Sequence, residues 1–369
     1  MKNNIIKILV IIIVIFGIAL IVGQIWSTNI ITIGGLFNVT GYAGFAGESS
    51  KNGFLMAVED FGLSDESVRV VIEDAQSDLK SAVSGATKLV EIDKAIAVIG
   101  PEWTEFGEVV SPVASKHKVS FISPWIVAEA PFVKPPYFWS AFPSDRVEHT
   151  KLIEYLSMNS YKRVVLVYSN NYWSKTNTDV FKEEAKKNGS VEIISEHTLD
   201  QTTRDFRTVI TKIKSDNPDI VYVAIGEDEG HGAFVAQARQ LGLTVPIGTN
   251  VARAGSPIMK EKYPNLLYDQ VFAQMLSSPK LKEFGDKYEK RFGKKPEAPS
   301  AAVSYDMTMI LLGAIKSGAR TSDQIISYLY TMDPYDGYSG VIAFDQNGQL
   351  PTRTAVVKKY NKQNVLEEI

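Results

Sequence analysis

The sequence predicts an α/β protein of two doubly wound parallel-sheet lobes behind an N-terminal transmembrane helix. Three observations carry that expectation. Short apolar runs alternate with amphipathic segments, the pattern of parallel strands covered by helices. At 369 residues the chain exceeds the size at which one core stops growing, so two domains are expected. Residues 5–23 are apolar throughout except for Lys7.

That first run nearly matches the stretch of about 20 apolar residues that spans a bilayer. A cleaved secretory signal has a shorter apolar core and a small-residue cleavage site, and "IVGQIWS" is a poor one. Lys2 and Lys7 lie at its start, which places them in the cytoplasm and the chain beyond residue 25 outside. A retained single-pass anchor over residues 1–27 is therefore expected, with the remainder extracytoplasmic at the cell membrane. A buried core helix would not be apolar on every face.

Beyond the anchor, strands are expected at 30–36, 68–73, 95–99, 120–122, 163–168, 191–196, 220–224 and 246–248. The first helix carries Phe54, Leu55, Val58 and Phe61 at core spacing. Further helices are expected at 79–93, 105–117, 147–158, 178–187, 206–214, 232–241 and 301–317. Composition shifts at 130–146, rich in proline and aromatics, and near 266–275 mark changes of domain. Residues 338–350 read as a strand and a turn at Asn347-Gly348, before a last strand ending in "TAVVKKY".

Composition narrows the chemistry. A net charge of -3 gives no basic field, so no nucleic-acid partner is expected. The absence of cysteine removes disulfides, thiolate metal sites, cysteine nucleophiles and a lipid-modified N-terminal cysteine. No G-x-S-x-G, H-E-x-x-H or GK[ST] motif is present, so no enzyme and no cofactor is expected. His231 with Asp228 and Glu229 would make only a weak metal cluster, and no metal is expected. The turn after the first strand has glycines at 41, 44 and 47, without the Lys-Ser or Lys-Thr pair of a phosphate loop. It is either a plain strand-to-helix turn or one wall of a cleft at the carboxyl ends of the strands, where such sheets bind ligands.

The blocks "ITIGGLFNVTGYAGFAGESSKNGFLMAVED", "VIEDAQSD" with "ATKLV", and "IAVIGPEWTEFGEVVSPVASKHKVSFISP" come in a telling order. They are followed by "VVLVYSNNYW", "TRDFRTVITKIKSDNPDIVYV", "QARQLGL", "SYDMTMILLGAI" and "SGVIAFDQNGQ". In order and spacing the chain resembles a type I periplasmic binding protein of the branched-chain amino acid-binding (Leu/Ile/Val-binding protein-like) family. These are substrate-binding proteins of ABC transporters. The resemblance runs from about residue 30 to 365. It implies lobes joined by three crossovers, here 28–140 with 272–344 and 141–271 with 345–369. It also implies a monomer that captures a small amino acid-like ligand by hinge closure, without covalent chemistry. The implied partners are an ABC permease and its cytoplasmic ATPase.

The same resemblance places Phe45 and Ala46 of the glycine turn, Trp103, Thr104, Trp125 and Val127 around the ligand in the first lobe. Tyr172, Gly226, Glu227 and Asn250 face it from the second. Thr104 would hold a ligand carboxylate at a helix start, or serve only as that helix's N-cap. The Trp125 backbone would add a donor, while Val127 stands where the family has a hydroxyl. Hinge-side packing for Trp125 and a surface turn for Tyr172 are the alternatives. Where amino acid binders place an acid for the ligand amine, this chain has Asn250 or Val251. Glu227, Asp228 and Glu229 are the remaining supply of charge, or simply a solvated helix start. An amide- or urea-like solute, a simple carboxylate, or a sensor ectodomain partnered by a signalling protein are the alternatives.

Overall fold

The computed structural model describes residues 30–62, 68–142, 144–226, 228–250, 254, 256–275, 277–350 and 354–369. The expected transmembrane helix lies outside the described residues. Among those residues no helix is long and apolar enough to cross a membrane.

The first sheet is wholly parallel. It holds β1 (Ile31–Phe37), β2 (Val68–Asp74), β3 (Ala95–Ile99), β4 (Ser120–Ser123) and β5 (Phe138–Ser140) in the order β2-β1-β3-β4-β5. β1 is buried along its whole length, as its apolar run requires of a strand covered on both faces. Helices α1 (Gly44–Phe61), α2 (Leu79–Glu91) and α3 (Thr104–His117) connect these strands.

The second sheet follows helix α4 (Asp145–Met158). Its strands are β6 (Arg163–Ser169), β7 (Glu192–Leu199), β8 (Ile220–Ala224), β9 (Ile247–Gly248) and β10 (Gln270–Met275). Helices α5 (Tyr172–Asn188), α6 (Arg207–Asp216), α7 (Asp228–Gln240) and α8 (Pro257–Lys262) lie between them. The chain then returns to the first sheet as α9 (Leu281–Phe292), α10 (Ser300–Lys316) and α11 (Ser322–Thr331), with a small hairpin of β11 (Tyr335–Gly337) and β12 (Gly340–Ile342). It ends back on the second sheet with β13 (Ala355–Tyr360) and β14 (Leu366–Glu368), giving the order β14-β13-β10-β9-β8-β6-β7. These last two strands pair antiparallel, so this sheet is parallel only from β10 to β7.

The chain thus passes between the sheets three times. The core of the first lobe joins distant segments: Ile33, Phe37 and Phe54 pack with Met307, Leu311 and Ile325. Gly53 permits this, because a Cβ there would stand 2.1 Å from the Ala301 carbonyl oxygen. β10 carries residues 272–275 in the second sheet, beyond the expected division at 271. Helix α5 starts six residues ahead of the expected 178, because Asn171 caps it by accepting from the Ser174 N–H at 2.8 Å. β5 was not expected, since three buried residues among prolines carry no readable period.

Candidate functional site

The carboxyl ends of β1, β3 and β4 in one lobe and of β6, β8 and β9 in the other carry the loops of interest. After β1, Asp74 at the end of β2 accepts from the Val39 N–H (2.9 Å) and the Thr40 hydroxyl (2.8 Å). Gly41 turns the chain at φ 86°, where a Cβ would stand 2.6 Å from Ser77. This turn leaves Tyr42 and Phe45 exposed at 61% and 40%. Ala46 is a different case. It is fully buried, and its N–H already donates to the Ala43 carbonyl at 3.0 Å, so it offers nothing to a ligand.

After β3 the chain runs through Gly100 and a buried Glu102 into α3. Thr104 is the first helical residue and does not cap the helix. The capping position is Trp103, whose side chain makes no capping bond. Among the described residues the N–H groups of Thr104 and Glu105 and the Thr104 hydroxyl have no hydrogen-bond partner. These are the unsatisfied donors at a helix start that suit an anion. Glu102 lies behind them with no exposed surface. The Asn38 N–H donates to its Oε2 at 3.2 Å, its Oε1 has no partner, and burial pushes its carboxyl up to about 7.

Trp103 holds a left-handed backbone at φ 67°, unusual for a bulky residue, and its N–H donates to the Trp125 carbonyl at 2.9 Å. The Trp125 N–H is directed to the Ser123 hydroxyl at 3.3 Å. The expected carboxylate donor at the Trp125 backbone is therefore already engaged within the lobe. Val127 is buried, with its carbonyl accepting from Ala130, and presents no polar group. The indoles instead build a wall. Ring centroids are 6.2 Å apart for Phe45 and Trp103, 6.4 Å for Phe45 and Trp125, and 6.4 Å for Trp103 and Trp125. Tyr42 extends the wall at one end and Phe142 at the other.

The second lobe contributes less than expected. Tyr172 opens α5 half-buried, but its ring meets Phe132 at 5.9 Å. Burial and then the charge of Glu108 raise its hydroxyl pKa. The Gly226 N–H donates to the Ser169 hydroxyl at 3.3 Å, and Glu227 lies outside the described residues. Glu229 is exposed and paired with Lys262 at 2.6 Å, so the charge expected from it for a ligand amine is committed elsewhere. His231 is buried against Gln270 at 3.0 Å, and among the described residues no group could hold a metal. Asn250 is half-buried, and its Oδ1 is a buried acceptor without a partner.

A family profile described as "Periplasmic binding protein" matches residues 30–364. The chain belongs to the periplasmic binding protein family. Among curated proteins it is 28% identical over 225 residues to "Leu/Ile/Val-binding protein BraC3" of Rhizobium johnstonii, covering 59% of this chain and 60% of that one. The chain thus spans less than two thirds of the curated relatives it matches. Among solved structures it resembles LivJ, a branched-chain amino acid transporter substrate binding protein of Streptococcus pneumoniae solved with isoleucine. That likeness has 26% identity and a TM-score of 0.73, over 92% of this chain and 99% of the other. The leucine binding protein LivK of Thermotoga maritima shares the fold at 24% identity and a TM-score of 0.74, over 92% and 98% of the two chains.

This periplasmic binding protein folds about two large sheets, one in each lobe. The passages between its lobes carry acid side chains. The Ser144 hydroxyl donates to Glu129 of the first lobe, and the Asn177 amide donates to Asp145 at 3.1 Å. Glu148 is buried and accepts from the N–H of Met275, the last residue of β10, at 3.1 Å. Loss of solvent, then the Glu129 charge, pushes Asp145 up to about 7. Burial, then the Asp145 charge, pushes Glu148 up to about 8.

Proposed function

We propose that this chain is the extracytoplasmic solute-binding protein of an ABC transporter, capturing a small amino acid-like carboxylate between its lobes. The carrying observation is the set of unpartnered donors at the start of α3, beside an aromatic wall. The ligand carboxylate sits at Thr104, and Phe45, Trp103 and Trp125 flank the rest of the molecule. Hinge closure brings Tyr172, Gly226, Glu227 and Asn250 over it. The names of the relatives, which concern leucine, isoleucine and valine, support the amino acid class. A permease with its cytoplasmic ATPase is the partner, and the protein works as a monomer.

A thermal-shift screen of the full-length protein against amino acids, amides and small acids tests this. Ligand at 100 times its dissociation constant adds about 2.7 kcal/mol. At about 2–4 °C per kcal/mol, the melting shift is on the order of 5–10 °C. Thr104→Val should abolish the shift for carboxylate ligands and leave the ligand-free melting point nearly unchanged. Equal binding by parent and variant would remove the carboxylate from Thr104. One observation favours a second reading, an amide or simple carboxylate without an ammonium group. Asn250 offers a neutral acceptor where an acid is expected, and Glu229 is taken by Lys262. Amide hits in the screen would select it.

Residues 1–27 tether the protein to the membrane in this proposal, on the strength of the apolar run with Lys2 and Lys7 at its start. Intact mass of membrane-extracted protein should include that run. A soluble species beginning near Gln24 would show cleavage instead.

A further inference from the structure

The three rings beside Thr104 form more than an apolar wall. Phe45, Trp103 and Trp125 all touch one another, at centroid separations of 6.2, 6.4 and 6.4 Å. Their planes meet at 79°, 84° and 63°, like three walls at the corner of a box. A flat ligand ring stacks best between near-parallel walls, which this corner does not offer. A compact tetrahedral head can rest on all three rings. A group over the centre of this triangle lies within the roughly 6 Å at which a cation is drawn to a ring face.

Three further facts favour a cation there. Among the described residues the cations that lie over a ring lie over those of Tyr268, Tyr305, Phe292 and Phe61, and none of these four lies over the three rings of the corner. The nearby Glu105 carboxylate accepts from the Tyr42 hydroxyl at 3.0 Å, and the Tyr42 ring stands edge-on to Trp103 at 5.7 Å. Trp103 is held at a φ of 67°, which bulky residues rarely adopt and which sets its indole where an ordinary backbone would not.

An ordinary ammonium group would want hydrogen-bond acceptors with charge. Of the residues expected to meet the ligand amine, Asn250 is neutral and Glu229 is paired with Lys262, which leaves Glu227 and Asp228. A methylated ammonium needs few or no such bonds, and its methyl groups gain from contact with ring faces. From this geometry we infer that the ligand is a methylated ammonium carboxylate, of the betaine class. Its ammonium head rests in the Phe45–Trp103–Trp125 corner and its carboxylate meets the start of α3. The inference rests on the binding-protein reading above and names the solute class for that same site.

Calorimetric titration of the full-length protein with glycine, N-methylglycine, N,N-dimethylglycine and N,N,N-trimethylglycine tests it. The dissociation constant should tighten along the series, with the trimethyl compound about ten-fold or more tighter than glycine. The isostere 3,3-dimethylbutyrate, which keeps the carboxylate but has carbon in place of the cationic nitrogen, has the same shape and should bind about ten-fold more weakly than the trimethyl compound. Phe45→Leu changes an exposed residue and should weaken trimethylglycine about five-fold or more with the fold retained by circular dichroism. Trp125→Leu should do the same.

Glycine binding as tightly as its trimethyl form would overturn the inference. So would equal binding of the isostere, or no binding by any member of the series. Leucine or isoleucine binding that is lost in Thr104→Val, with no gain on methylation, would overturn this inference alone. That outcome would leave the solute-binding reading intact. If neither the series nor the wider screen gives a ligand, both readings fall.

Discussion

Lowering the pH from 8 to 6.5 should raise the melting temperature of this protein. Burial pushes Glu102 up to about 7 and Glu148 up to about 8, and Asp145 rises to about 7. Each carboxyl has a higher pKa in the folded chain than in the unfolded one. Between those two values the folded state binds more protons, so stability falls as pH rises and returns on acidification. His149 acts in the opposite sense. Burial lowers it to about 4, so stability is lost as pH falls below about 6.5, where the unfolded histidine takes a proton. The carboxyls act without that opposition only in the upper window.

Each pH unit over which one such carboxyl is protonated only in the folded state corresponds to about 1.4 kcal/mol. Glu148→Gln keeps an acceptor for the Met275 N–H and removes the ionisation. It should be more stable than the parent at pH 8 and show a flatter dependence on pH. Thermal melts of both proteins at half-unit steps between pH 6.5 and 8 decide the matter. An unchanged slope in the variant would show that Glu148 does not drive the effect.

Gly100→Ala should destabilise the protein by about 3 kcal/mol or more. Gly100 has φ 108°, and a Cβ there would stand 1.9 Å from the Leu36 carbonyl oxygen. On its other side its N–H donates to the Ile122 carbonyl at 2.8 Å. The residue is wedged between the ends of β1 and β4, and Gly35 is paired with Ile99 one residue earlier. The ladder leaves neither strand room to withdraw. Because Gly100 leads directly to Glu102, Trp103 and Thr104, ligand affinity should fall along with stability. Urea melts would measure the first effect, and a variant as stable as the parent would contradict this account.

The strands at 95–99 and 220–224 were legible to the residue, because each is a compact apolar run that follows a charged residue, Lys94 or Asp219, and ends just before a glycine turn. β5 and β10 were not. Their place depends on neighbours paired across long stretches of chain, which local pattern does not contain. The position of Thr104 after a strand and at a helix start was legible, yet its place inside the helix rather than at the cap was not. The committed Trp125 backbone depends on Trp103 and Ser123 meeting it in space. In the same way Glu229 finds Lys262 across 33 positions. Asn250 was visible from the sequence as a departure, since a neutral side chain stands where charge was expected. The left-handed backbone of Trp103 had no signal at all, because bulky residues rarely adopt it.

The interleaving of the lobes has a consequence for how the chain is made. Ile33, Phe37 and Phe54 leave the ribosome long before Met307, Leu311 and Ile325, against which they pack. A nascent chain that already contains all five strands of the first sheet cannot close their core, because α10 and α11 have yet to be synthesised. The second sheet waits longer still, for β13 and β14 at the chain's end. Neither lobe obeys the usual rule that domains fold as they emerge, N-terminal first. The polypeptide stays open through most of its own synthesis, the form in which a secretion channel that threads extended chains can still accept it.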